Sequence, residues 1–568
     1  MARINDALKR VGLWLKNTDN AIFTILVIFS LLPIWSIEYI PTQDGPCHLQ
    51  TASIIKSYND PGSDILRKYY TISYKFTTNT AVHFLLAFLM FFASPLVAEK
   101  LFLSMYIILT PVSMRYILSS INKKCAYLAM LSVPFLYTWI FRKGFYSMLL
   151  GIPASLFAIG YWIKYGDGFD IKRCVKFSLI LLITYFIHVF SLSVVFVSIS
   201  SLIAWRIFSA LRDRPKDFTP DRKYIIGLFA RNMAMPLAAF TPAALLAMLN
   251  SGAASQFYIS VPPEGLWTEI RYLFTFVTDN VSWAGWTDIT IYIFTAIIAY
   301  NIIIHIFALR LRSEWDGFAL ATLLSIAIFL IGNGVMTSNV SLSYFPPRAW
   351  NIYNFIPERI SSYVIFMLIL WFSARSHTRY FKNTLRAAAI GLSAIFISIH
   401  LADNIKSEKY LKEYMSAADH IDRHATILPL VFGVQPPAHD NIVLKQPVRV
   451  FRHLSGYIAV EKGGIDLDNY QANLPHFSAT FRGVLNPFRH IGIDNGMEKY
   501  PPEVNFTAYH EKTGGYVDYV LIWMLEDEYM NDRRMGSIFE QLTQGYELIY
   551  ISPNKYARLY RRKDYPKP

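Results

Sequence analysis

The sequence predicts a membrane α-helical bundle of about eleven spans that carries one long outer loop near its start and ends in an α/β domain outside the membrane. Three observations carry that reading. Of 568 residues, 54% are hydrophobic and 16% aromatic, with a mean hydropathy of +0.30, too apolar for a soluble multidomain enzyme. The apolar residues gather in runs that approach the ~20 residues a helix needs to cross a hydrocarbon core of ~30 Å. After Asp403 such runs stop, and charged residues, Gly, Pro and His take over.

In chain order the runs are Ala21 to Ile37, Ala81 to Ala93, Leu101 to Ser119, Ala126 to Ile140, Phe145 to Ile163, Phe177 to Trp205, Ile225 to Leu249, Ile289 to Leu309, Phe318 to Ile331, Ser361 to Ala374 and Ala387 to Ala402. Ala81 to Ala93 and Ser361 to Ala374 are the shortest. The formal net charge of +14 falls mostly in short segments between runs, so it reads as an orientation signal and not as nucleic-acid binding. Lys9, Arg10 and Lys16, then Arg206 to Lys223, Arg310 to Arg312 and Arg375 to Arg386, all fall on the cytoplasmic side of an eleven-span count. The same count puts the loop 38–80, the loops 250–288 and 333–360, and the residues after Asp403 outside, in an inner (plasma) membrane protein. The polar lead before the first run and the lack of an Ala-x-Ala site predict a retained anchor, not a cleaved signal.

Two units follow, 1–403 in the membrane and 404–568 outside it. In the second, Val517 to Trp523 and Tyr546 to Ser552 read as strands, Glu526 to Gln544 as a helix ended by Gly545, and Tyr556 to Tyr560 as a last strand. Cys47, Cys125 and Cys174 all lie in the first unit, so the outer domain folds without disulfides. Its histidines His439, His453, His476, His490 and His510 lack the i, i+4 pairing of a helical zinc site.

The chemistry-bearing stretch is Pro41-Thr-Gln-Asp-Gly-Pro-Cys-His-Leu-Gln50, directly after the first run. Asp44 stands just outside the bilayer beside a Gly-Pro turn, suited to act as a base toward a membrane-anchored substrate. The other reading of Asp44 is a polar turn capping the next helix. His48 lies one helical turn on, either as a partner that orients Asp44 or as a plain interfacial histidine.

An acidic motif opening the first outer loop, a multi-span bundle and an outer α/β domain together resemble the GT-C superfamily of membrane glycosyltransferases, in particular bacterial members with an Asp-Gly-Pro-x-His motif. The likeness covers the whole chain in architecture and about ten residues in motif. It implies a transferase that takes a sugar from a polyprenyl-phosphate donor in the membrane and passes it to an extracytoplasmic acceptor. It implies Asp44 as catalytic base, with His48 beside it. Many members carry two adjacent acids here, whereas this chain has Asp44 followed by Gly45 and an earlier Glu38. Glu38 is therefore a substrate-binding candidate, and a divalent cation is possible although no cofactor follows from the residues. The family also places an Arg near the last long outer loop to bind the carrier phosphate, which implies Arg359 and, in reserve, Arg348. A guanidinium suits a phosphate because its donors form a fixed fork; the alternatives are snorkelling to headgroups or pairing with Glu358.

Inside the run Phe177 to Trp205, His188 reads either as functional or as a neutral ring bonded to a neighbouring helix. Trp267, Trp283 and Trp286, with Arg271 and Asp279, fit an acceptor entrance or an aromatic belt. Arg67, Lys68, Tyr69 and Tyr70 admit the same two readings. The rival class is a non-enzymatic transporter or flippase, which predicts internal repeats and buried midplane charges.

Overall fold

The computed structural model describes residues 14, 16–74, 77–166, 169–213, 222–250, 281–307, 313–332, 356–437, 440, 448–492, 497, 499, 501–525, 529–530 and 532–566. Among them, six helices are long and apolar enough to cross a membrane: Thr18–Trp35, Pro95–Ile121, Tyr146–Tyr165, Val189–Arg212, Asn232–Leu249 and Arg379–His420. Thr80–Leu89, Gly285–Tyr300 and Arg359–Phe372 are shorter apolar helices. The expected count of eleven is not reproduced among the described residues, and two expected spans differ outright.

The run Ala126 to Ile140 is not an α-helix. Residues Lys123–Phe135 form a 3-10 path with Pro134 inside it, and Tyr127 to Phe135 are buried throughout. It packs between the Pro95–Ile121 and Arg379–Met415 helices. A segment enclosed by protein reads as apolar as one enclosed by lipid, so hydropathy alone cannot tell the two apart.

The run Phe177 to Trp205 is two helices, Ile171–Ile187 and Val189–Arg212. His188 breaks them with an extended backbone at φ −165° and ψ 119°. Val189 N–H donates to Thr78 Oγ1 at 2.9 Å, which satisfies one donor that the break exposes. Gly151 permits the close approach, since a Cβ there would lie 2.2 Å from Ser191 Oγ.

The Arg379–Met415 helix runs 37 residues, ~55 Å at 1.5 Å per residue, and continues unbroken past position 403 to the sheet. The sheet has five strands in the order β3-β2-β5-β7-β6: β2 Thr426–Val431, β3 Ile465–Asp466, β5 Tyr519–Trp523, β6 Tyr546–Ile551 and β7 Ala557–Arg562. β3, β2 and β5 are parallel, and β7 and β6 are antiparallel. Central parallel strands are covered on both faces, and β2 and β5 are accordingly buried at every residue. Alternation sorts them into two cores. Ile427, Val431, Tyr519, Leu521 and Trp523 join the core of the helical bundle, while Leu428, Leu430, Val520 and Ile522 join a second core with Met535, Ile538 and Leu542.

The expected β-α-β-β run is present as β5, the Arg533–Gly545 helix, β6 and β7. That helix starts later than Glu526, at the N-cap Asp532, whose carboxylate accepts from Arg534 N–H. Residues 526–528, the start of the expected helix, lie outside the described residues.

The segment after the first span is stitched to the C-terminal part of the chain. β1 (Tyr70–Ile72) pairs antiparallel with β4 (Ala479–Phe481) across some 400 residues of chain. The Gly45–Ser57 helix packs on the Ser455–Lys462 helix, where a Cβ on Gly456 would sit 2.7 Å from Pro46 O.

Candidate functional site

Asp44 is the N-cap residue of the Gly45–Ser57 helix, but its side chain does not cap that helix. The polar-turn reading therefore leaves its carboxylate unexplained. Two backbone bonds fix the residue: Gln43 N–H donates to Arg142 O at 3.0 Å and Asp44 N–H to Lys143 O at 3.1 Å. The Trp139–Lys143 helix ends in Gly144 at φ +77°, and a Cβ there would lie 2.6 Å from Gly45 N. Only glycine accepts both that dihedral and that approach.

The side chain of Asp44 points into protein. It is 4% exposed, with Oδ1 3.8 Å from His453 Nε2. Burial pushes its carboxyl up to about 6, while Lys143, hydrogen bonds with Tyr470 and Gln43, and Arg452 pull the other way. The carboxylate is thus held near the point where it exchanges a proton at neutral pH.

Around it lies a dense polar layer between the helical bundle and residues 449–470. Lys143 Nζ donates to Gln43 Oε1 at 2.8 Å, and the same oxygen accepts Arg449 N–H at 2.9 Å. Arg452 forks onto Asp468 at 2.8 and 3.3 Å. Asp466 accepts from Ser455 Oγ at 2.9 Å, and burial raises its carboxyl to about 6. His453 Nδ1 lies 3.8 Å from Asp468 Oδ2, so the ring stands between two carboxylates. Burial, then Arg452 and Lys143, holds it well below the ordinary histidine range.

A second network braces the loop before Asp44. Glu99, 1% exposed at the start of the Pro95–Ile121 helix, accepts from Tyr146 Oη at 2.5 Å and lies 3.0 Å from Tyr457 Oη. Tyr457 Oη is also 3.1 Å from Ile40 O, and Tyr146 Oη is 3.4 Å from Thr42 Oγ1. One buried carboxylate therefore ties together the bundle, residues 40–42 and the Ser455–Lys462 helix.

The residues singled out from sequence separate here. His48 does not orient Asp44: its ring stacks on Tyr146 at 5.2 Å, and its Nδ1 lies 2.9 Å from His83 Nε2, which continues to Ser478 Oγ at 3.2 Å. Burial and then His83 keep His48 neutral. The histidine beside Asp44 is His453, 409 positions further on. Glu38 is not gathered with Asp44; it is 53% exposed and 3.9 Å from Lys412. Arg359 lies 5.1 Å from the centre of the Phe145 ring, and its Nη1 is 3.4 Å from His188 Nε2. Phe145 follows Gly144, so one turn touches both the Asp44 backbone and the Arg359 guanidinium. Arg348, Trp267, Arg271, Asp279 and His439 lie outside the described residues, as does the side chain of Glu358. Trp283 donates to Asp403 Oδ1 at 3.3 Å. Arg67 pairs with Asp64 at 2.6 Å, and Tyr69 and Tyr70 are buried.

Sequence reasoning missed Glu99, Lys143, Arg452, Asp466 and Asp468, and passed over His453 as one of five scattered histidines. The signals were present in the basic pair before Gly144 and in Asp466-Leu-Asp468-Asn469, but each acquires meaning only from a partner hundreds of residues away. Among the described residues no group of three or more His, Cys, Asp or Glu is placed to hold a metal ion. The charges acting on the Asp44 carboxylate are the cations Lys143 and Arg452, which oppose a third.

No protein-family model matches the chain, and no curated protein matches it. Among solved structures it is similar to the oligosaccharyltransferase of Archaeoglobus fulgidus. Against the apo form the identity is 13% with a TM-score of 0.38, covering 97% of this chain and 75% of that one. Against AglB in complex with an inhibitory peptide and a dolichol-phosphate the values are 12%, 0.37, 98% and 75%. Against the complex with Zn and sulfate they are 12%, 0.37, 95% and 73%.

Proposed function

We propose that this chain is an integral-membrane glycosyltransferase that moves a sugar from a polyprenyl-phosphate donor to an extracytoplasmic acceptor, with Asp44 as its base. The observation that carries the reading is the Asp44 carboxylate itself, buried where bundle and outer domain meet and raised to about 6. Asp44 shares a raised carboxyl with Asp466, and what sets it apart is its place: it opens the Gly45–Ser57 helix directly after the first span, with Lys143 and His453 beside it, where a carboxyl poised to exchange a proton can serve as a general base.

In the reaction, ionised Asp44 takes the proton of an acceptor hydroxyl. The freed oxygen attacks the anomeric carbon, and the bond from that carbon to the phosphate oxygen breaks. The polyprenyl phosphate leaves with the electron pair and a negative charge, which Arg359, with Arg348 in reserve, is chemically suited to accept. His453 takes the orienting place expected for His48, and Glu38 has no part in the step.

The test is Asp44→Asn in membranes supplied with labelled polyprenyl-phosphate sugars. Loss of transfer with intact folding supports the reading; transfer at the wild-type rate removes Asp44 from the chemistry.

A further inference from the structure

His453 stands between two carboxylates, with Nε2 3.8 Å from Asp44 Oδ1 and Nδ1 3.8 Å from Asp468 Oδ2. Both gaps are about 1 Å longer than a hydrogen bond. Asp44 Oδ1 and His453 Nδ1 are sealed from solvent and make no hydrogen bond among the described residues, so only the side chains already around them can serve them. The ring is held in this place from several sides. It packs on the Tyr470 ring at 4.9 Å, and Tyr470 hydrogen-bonds to Asp44. Its backbone carbonyl accepts from Gly456 N–H at 3.1 Å, and Gly456, with no Cβ, lets the Ser455–Lys462 helix rest on Pro46. On the far side Arg452 grips both Asp468 oxygens and reaches Met497 O at 2.7 Å, which fixes that carboxylate and favours its ionised form.

A neutral imidazole has one proton for two nitrogens, and here each nitrogen faces a carboxylate oxygen. Burial, then Arg452, Lys143 and Arg449, keep the ring from taking a second proton. The single proton therefore serves one carboxylate at a time. With Asp44 ionised, an N–H at Nε2 points at its unserved oxygen. With Asp44 protonated, a bare Nε2 accepts from the new O–H, and the ring proton at Nδ1 points at Asp468. An imidazole does both without changing charge, which an ammonium, a guanidinium or a carboxylate cannot.

We infer that His453 is the positioning residue of Asp44 and that its single ring proton follows the state of Asp44, lying on Nε2 while Asp44 is ionised and on Nδ1, toward Asp468, once Asp44 carries a proton. In balance, one proton enters, one O–H bond forms on Asp44, and the ring holds one proton before and after. The other charged or titratable groups around the pair are Lys143, Arg449, Arg452, Asp466, Cys47 and Tyr470. Burial pushes Cys47 and Tyr470 well above their ordinary values, so both stay neutral. Asp466, whose carboxyl also rises to about 6, competes with Asp44 in the same range. For turnover the arrangement rests on the reading of Asp44 as a base: it lets a buried carboxyl gain a proton without leaving a donor or an acceptor unserved. The state of the ring is read without any sugar transfer.

The experiment is solid-state NMR on the full chain in nanodiscs, with isotope-labelled histidine, from about pH 4 to about pH 8. The nitrogen shift tells a bare from a protonated ring nitrogen, and coupling to the adjacent ring carbons tells Nδ1 from Nε2. Wild type is expected to show one histidine, absent from His453→Gln, whose N–H shifts from Nε2 to Nδ1 as pH falls through about 6. In Asp44→Asn that exchange is lost. Should His453→Gln fail to fold, the signal is identified as the one whose exchange Asp44→Asn abolishes. Three results overturn the assignment: no histidine that changes tautomer with pH, an exchange that survives in Asp44→Asn and so belongs to Asp466, or a doubly protonated His453 ring at about pH 6. Transfer at the wild-type rate in Asp44→Asn would sink the base reading alone and leave the tautomer result standing.

Discussion

Replacing Asp44 by asparagine separates the two consequences of burying this carboxylate. Its folded value of about 6, against an ordinary 3.8, means that the folded chain holds the proton more tightly than the unfolded chain. Stability from this group is therefore fully present below pH 3.8 and is lost as pH climbs through 6. At roughly 1.4 kcal/mol per pH unit, the ionised carboxylate costs the wild type ~3 kcal/mol above pH 6 relative to an exposed one. The amide of the Asp44→Asn variant carries no charge to desolvate at any pH and keeps the shape. The variant is thus expected to be more stable than wild type by up to ~3 kcal/mol at about pH 8, and about equal to it at about pH 4. A difference of that size reads as a Tm gap of several degrees that closes on acidification. Thermal unfolding in detergent from about pH 4 to about pH 8, beside the transfer assay, reads both quantities. A Tm difference that is flat across that range would refute the burial argument. Gained stability with undiminished transfer would refute the catalytic one.

Arg452→Ala leaves Asp468 buried without its guanidinium and is expected to cost ~3–5 kcal/mol, with the double replacement Arg452→Met, Asp468→Leu recovering most of the lost Tm. Gly144→Ala sets a Cβ 2.6 Å from Gly45 N at a positive φ; a loss of ~1–3 kcal/mol by denaturant titration is expected, with transfer falling because the Asp44 backbone shifts. Glu99→Leu strips the acceptor shared by Tyr146 and Tyr457 and costs ~1–3 kcal/mol for each orphaned hydroxyl; the residual enzyme is expected to lose kcat more than it gains KM, and an unchanged kcat would show that the brace on residues 40–42 is irrelevant to turnover.

Asp44 stood out in the sequence because an acid beside a Gly-Pro turn is conspicuous directly after an apolar run. Arg359 came only from the resemblance to the GT-C superfamily, and the β5 to β7 unit from alternation and turn residues. His188 was noticed as polar within an apolar run, although its part in breaking that run was not. The partners of Asp44 stayed hidden. Gln43 meets Arg449, Glu99 meets Tyr457, and His83 meets Ser478 across separations of 406, 358 and 395 residues. No local window connects such pairs.

Hydropathy and period alone thus determined the membrane class, the position of most helices and the strand pattern near the C-terminus, because a residue's preference for lipid, core or pleat acts within a few turns of chain. Tertiary structure decided that Ala126 to Ile140 lies within the protein, that Phe177 to Trp205 breaks at His188, and that His453 rather than His48 faces Asp44. Those outcomes depend on which surfaces exclude water together, and burial against a distant segment leaves the local sequence looking the same as burial in lipid.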